Sequence, residues 1–178
     1  MRVAEKSLLL ATQNRLRTIC GYTDPQCQIE YDEQAPAVTG DTYVIVMTGG
    51  WSPGPRHRTC GGVNDLLYAI DVGVVKRVSS VPRDRLRNVF FRNLSGLTEE
   101  IDKIYEAIDF EYDLINAASA LITAETESTE GFVEALKFTG MDRRPRIVPG
   151  ELFGAPNNEA AGLMRVINFG GARRITTK

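Results

Sequence analysis

Residues 66–78 read LLYAIDVGVVKRV. Leu66, Tyr68, Ile70, Val72 and Val74 take alternate positions, with Asp71, Gly73 and Arg77 among the residues between them. A period of two places alternate side chains on opposite faces of extended backbone, so this segment predicts a β-strand with one continuous apolar face. At ~3.3 Å per residue it would run roughly 40 Å, about twice a usual strand. The expectation is a strand that projects beyond its own core.

Toward the N-terminus, TYVIVM (42–47) is apolar on both alternating faces, as expected of a central strand covered on both sides. QIEY (28–31), after the turn YTDPQ, predicts a short strand. Earlier still, Leu8, Leu9, Thr12, Leu16, Ile19 and Cys20 recur at helical spacing, with Gln13, Arg15 and Arg17 on the other side and Gly21 as a stop. Toward the C-terminus, PRDRLRN (82–88) reads as a Pro-led turn into a short basic helix. Thr98 is placed to cap a second helix, in which Ile101, Ile104, Tyr105 and Ile108 form the apolar stripe. Leu114, Ile115, Ala118, Leu121 and Ile122 continue that pattern, which fits either one long helix or two broken near Asp109. FVEALKF (132–138) and GLMRVINF (162–169) predict two late strands. The order implies an α+β fold: a mostly antiparallel sheet packed with about three helices, in a single domain spanning 1–178 with extended loops at about 49–62 and 140–160.

The totals restrict the function classes. The chain has 178 residues, long enough to bury one core, and its 16 Gly and 8 Pro are spread rather than clustered. No apolar run reaches membrane-spanning length, and the N-terminus breaks its short apolar stretch with Gln, Asn and Arg, so neither a membrane partner nor a secretory leader is expected. A net charge of −2 provides no global attraction for nucleic acid.

Candidate chemistry is sparse. Cys20, Cys27, His57 and Cys60 are four zinc-type ligands, but their spacing fits no zinc knuckle, and buried reduced thiols are the expected state. His57, the single histidine, has Ser52 and Cys60 nearby but lacks the surroundings of a known nucleophile turn. TGGWSPGPRHRTCGG (48–62) lacks a phosphate-loop Lys and a following helix. Glu30, Asp32 and Glu33 read as a solvated acidic face. The expectation is therefore no catalytic residue, no metal and no cofactor.

Assembly chemistry is more abundant. Trp51 stands between Gly-Gly and Ser-Pro-Gly, with no regular element expected around it, and can either fold back on its core or anchor a neighbouring chain. Basic groups occur at Arg56 with Arg58, at Arg83 with Arg85 and Arg87, at Arg143 with Arg144 and Arg146, and at Arg173 with Arg174. Arg in place of Lys suits planar pairing with carboxylates at a protein interface or with phosphates; without aromatic platforms or a reading motif, protein contacts are expected, with DNA binding through these clusters as an alternative. Trp51, Arg56, Arg58, Arg83, Arg85, Arg87, Arg173 and Arg174 are the candidate interface residues.

The order of an N-terminal helix, GDTYVIVMTGGWSPG (40–54), a long strand ending in VSSVPRDRL (78–86), LTEEIDKIYEAI (97–108) and GLMRVINFGGARRI (162–175) resembles the neck and tail-completion proteins of long-tailed bacteriophages, most nearly the tail terminators. The resemblance covers about residues 6–174. It implies a structural subunit of the virion, assembled in the host cytoplasm as a hexameric homo-oligomer ring that caps the tail tube protein and meets the head connector. DNA only passes through the channel. A head-closure or adaptor ring is the alternative within the neck, and a small hydrolase or nuclease the alternative outside it.

Overall fold

The alternation in residues 66–78 builds the strand at the middle of the sheet. The computed structural model describes residues 3–30, 41–55, 64–78, 86–109, 136–148 and 161–176. In chain order these form α1 (Val3–Cys20), a single 3-10 turn (Asp24–Gln26), β1 (Cys27–Ile29), β2 (Thr42–Pro53), β3 (Asn64–Val78), α2 (Leu86–Asp109), β4 (Lys137–Met141), β5 (Arg146–Val148) and β6 (Ala161–Thr176). The sheet order is β1-β2-β3-β6-β4, with β5 also paired to β6. β1 and β2 run parallel and every other pair is antiparallel.

The fold is α+β with a mostly antiparallel sheet, as expected, and two α-helices lie among the described residues, roughly consistent with the expected count of about three. Residues 86–88 of the expected short basic helix and the helix expected from Thr98, as far as Asp109, are one element, α2. Thr98 is exposed within it and does not mark a helix start. The stripe Leu97, Ile101, Ile104 and Ile108 is buried against the sheet, which favours one continuous helix over a new start. The pattern Leu114–Ile122 lies outside the described residues.

The long strand does not project. Leu66, Tyr68, Ile70, Val72 and Val74 are all buried in one core with Val44, Val46, Leu97, Ile104, Ile167 and Phe169. β3 is accompanied by β2 on one side and β6 along its whole length on the other. At ~1.5 Å per residue α2 is roughly 36 Å long, enough to cover such a strand. Length here serves the protein's own core. β3 also takes the central place expected of β2, which lies one strand from the edge. The expectation that β2 is apolar on both faces has a counterpart in a small second cluster on the far side of the sheet, where Val75 and Val148 are buried with Tyr43 and Met164 packed against them.

The helices pack antiparallel on one face. Arg15 Nε donates to the Ala107 carbonyl at 3.2 Å, and further along α1 the Cys20 thiol donates to the Lys103 carbonyl at 3.7 Å. Just past Gly21, whose φ of +74° ends α1, the Tyr22 hydroxyl donates to Glu100 at 2.5 Å. α1 lies over β1 and β2, and α2 over β3, β6 and β4. Among the described residues, no helix is long and apolar enough to cross a membrane.

Glycine bulges change where the loops begin. Opposite Ala69, β2 carries the extra residue Gly49 and β6 the extra residue Gly171. Gly50 and Gly171 adopt φ of +83° and +96°, conformations that side chains with a Cβ disfavour. A Cβ on Gly49 would come within 2.8 Å of the Ala69 Cβ, so β2 passes Ala69 only as glycine. The bulge lets pairing resume, and β2 continues to Pro53, followed by a hydrogen bond from Gly54 N to the Asp65 carbonyl at 2.8 Å. The loop expected at 49–62 therefore starts as strand, and 56–62 lies outside the described residues. The loop expected at 140–160 contains the end of β4 and all of β5, with 149–160 outside them. The strand expected at 132–138 starts instead at Lys137 and runs to Met141, and 132–135 lies outside.

Candidate assembly surface

Trp51 is a strand residue, not a loop residue. It stands in register with Tyr68 of β3, on the part of β2 that runs on after β1 has ended opposite Val46, and is 45% exposed. At the other edge of the sheet Phe138, in register with Phe169, is 41% exposed. Phe138 sits edge-on to Tyr105 of α2 at 5.5 Å and to Phe169 at 6.3 Å between ring centroids. Through β3 and β6, Trp51 is level with Ala172, three residues along β6 from the partner of Phe138. Among the described residues the fold thus carries one exposed aromatic ring at each of two opposite sheet margins, held by backbone pairing rather than by loop geometry.

The arginine candidates separate. Arg173 turns to its own chain: its Nη1 lies 3.8 Å from Asp65 Oδ2, and the Asp65 carboxylate is completely buried. Burying Asp65 leaves a charge that needs a cation nearby, so within the described residues the carboxylate beside Arg173 is one of its own chain. The separation suits charge attraction but exceeds hydrogen-bond length, and neither Asp65 oxygen has a hydrogen-bond partner among the described residues. Arg174 stands in register with Leu66, and Arg87 is in the first turn of α2. Arg56, Arg58, Arg83 and Arg85 lie outside the described residues. Trp51 and Arg173 are brought to one end of the sheet, two strands apart, while Arg87 belongs to the helix layer.

Sequence reasoning missed Phe138 as a surface residue, treating it as the end of an ordinary strand. No local signal separates an edge strand from an inner one, since edge position depends on which distant segments pair.

Of the zinc-type ligands, Cys20 is half-buried and Cys27 fully buried, both as free thiols, while His57 and Cys60 lie outside the described residues. Among the described residues no three His, Cys, Asp or Glu side chains are grouped to hold a metal. Burial pushes the Cys20 thiol from 9.0 up to about 11, with Glu100 adding to the rise against the opposing charges of Lys103 and Arg15. Cys27 is raised to about 12, again chiefly by burial, against the lowering effect of Arg17. Tyr22 is shifted upward by burial and then by its hydrogen bond to Glu100.

These shifts predict a basic limit to stability. All three groups prefer their protonated form in the folded state, so their contribution is complete below the ordinary thiol value of 9.0. Between there and about 11–12 the unfolded chain releases protons that the folded chain retains, and stability falls. Urea unfolding midpoints are expected to drop between pH 8.5 and 11, and less steeply in a Cys20→Ala/Cys27→Val variant. Equal slopes in the two proteins would contradict the assignment.

The chain matches no known family model, and a search of curated proteins found no relative.

Proposed function

We propose that this protein is a structural ring subunit of a bacteriophage neck, a tail terminator that caps the tail tube, ends its polymerisation and joins the tail to the head connector. The role is architectural rather than catalytic. The resemblance in motif order from the N-terminal helix to GLMRVINFGGARRI supplies the biological context. The observation that carries the assembly reading is the pair of exposed rings, Trp51 and Phe138, at opposite margins of one sheet. A closed ring repeats one head-to-tail contact, which requires two different complementary surfaces on each subunit. Large aromatic side chains are the usual anchors of such contacts. In this arrangement the β2 margin of one subunit meets the β4 margin of the next, and DNA passes through the central opening.

Native mass spectrometry of the purified protein, together with electron microscopy of tail tubes polymerised with and without it, tests the reading. The expected result is a six-subunit assembly seated on one end of tubes of uniform length. A strictly monomeric protein at high concentration, with no effect on tube length, would overturn it.

A further inference from the structure

The margin formed by β4 and β5 contains a built interruption. Both strands pair with β6, but Met141 faces Ile167 while Arg146 faces Met164, so Asp142, Arg143, Arg144 and Pro145 stand opposite only Arg165 and Val166. The surplus backbone is held in place by its own chain. Asp142 N donates to the Val166 carbonyl at 3.0 Å, and Arg165 Nη2 donates to the Arg143 carbonyl at 3.1 Å. Arg146 Nε lies 3.1 Å from Asp142 Oδ2, which accounts for the one acidic side chain of the turn. Arg143 and Arg144 remain exposed, with no ion pair among the described residues. A bulge of this kind prevents another strand from adding to the edge, so a partner here must be recognised through side chains.

The sheet register shows what lies level with this bulge. Arg165 pairs with Val74, Val74 with Val44, and Val44 with Cys27; Val166 pairs with Gly73, Gly73 with Ile45, and Ile45 with Gln28. One row of residues therefore crosses the sheet from the bulge to β1 at the opposite margin. Two exposed acids flank β1 there. Asp24 precedes it and is paired with Arg17, while Glu30 follows it, with its N–H on the Val46 carbonyl at 3.1 Å and no ion pair among the described residues.

We infer that the Arg143–Arg144 bulge of one subunit docks on the acidic β1 margin of a second copy of this chain, with Glu30 as the principal partner and Asp24 beside it. This contact rests on the ring reading above and specifies the polar part of its head-to-tail surface. A head-to-tail repeat along the sheet's hydrogen-bonding direction, with a fixed rotation at each step, brings the two margins together at one level. Opposite charges there set the alignment of the aromatic contact and disfavour other pairings.

Charge reversal tests the contact. Self-association is measured by sedimentation at moderate salt for the wild type, R143E/R144E, E30R and the combined triple variant, with circular dichroism confirming that each is folded. Each separate reversal is expected to weaken association about ten-fold or more, and the triple variant to recover most of it. A folded triple variant that does not recover overturns the inference. So does a wild type that assembles while R143E/R144E assembles equally well, which leaves the ring reading standing. A monomeric wild type overturns both. Should R143E/R144E leave self-association intact but abolish low-salt retention on duplex DNA, the bulge reads phosphates and the inference falls.

Discussion

Arg173→Met is expected to lower unfolding free energy by about 3–5 kcal/mol, the usual cost of stranding one member of a buried ion pair. Asp65 is fully buried, and among the described residues neither of its oxygens has a hydrogen-bond partner and the Arg173 guanidinium is the cation beside it. Removing that cation leaves a buried carboxylate with no countercharge among the described residues. The double variant Asp65→Leu/Arg173→Met should recover most of the loss, because an apolar pair of similar volume avoids desolvating either charge. Denaturant unfolding of the single and double variants measures both effects. A loss under about 1 kcal/mol for Arg173→Met would place it among ordinary surface changes and remove the structural role assigned to this pair. Assembly measured on the same double variant separates an internal Arg173 from one that grips a neighbour, since only the latter role is lost with the pair.

Phe169→Ala is the second large effect, also expected at about 3–5 kcal/mol. Phe169 has no exposed surface and lies on β6 between Ile70 of β3 and Phe138 of β4. Truncation leaves a cavity under the sheet and removes one of the two rings against which Phe138 is set edge-on. Phe169→Leu keeps most of the volume and should cost about 1–2 kcal/mol. The two variants should differ in a second way, because Phe138 is held at the margin by Phe169 and Tyr105. A folded Phe169→Leu protein should therefore associate more weakly than wild type while retaining most of its stability. Unchanged association would indicate that Phe138 does not contribute to the contact.

The proposed surfaces share a physical logic. Each feature that would meet a neighbour is fixed by contacts inside the subunit: Trp51 by the pairing of β2 with β3, Phe138 by two aromatic rings, and the Arg143–Arg144 bulge by Asp142, Arg146 and Arg165. Groups already ordered lose less conformational entropy on association than flexible arms would. Arms and loops are the gripping elements expected from sequence; the proposed contact uses strand margins, and loop residues 56–62 and 149–160 lie outside the described residues.

Periodicity alone was enough to identify α1, β2, β3 and β6, because a period of two or of 3.6 lies within one segment and reports the face that segment buries. Gly21 as a stop and the buried stripe Ile101, Ile104 and Ile108 were legible for the same reason. The merging of two expected helices into α2 was not, since Thr98 has the side chain of a cap and only the burial of Leu97 and the continuous backbone decide against it. Nor was the passage of β2 through Gly49 and Gly50, which as a dipeptide signals a turn and becomes a bulge only because Ala69 lies against it. The central place of β3, the marginal places of Trp51 and Phe138, the turning of Arg173 toward Asp65, and the level of the bulge with β1 all depend on pairing between segments far apart in the chain. Local chemistry records which face a residue prefers; which strand lies beside it, and whether any strand does, is settled only when distant segments meet.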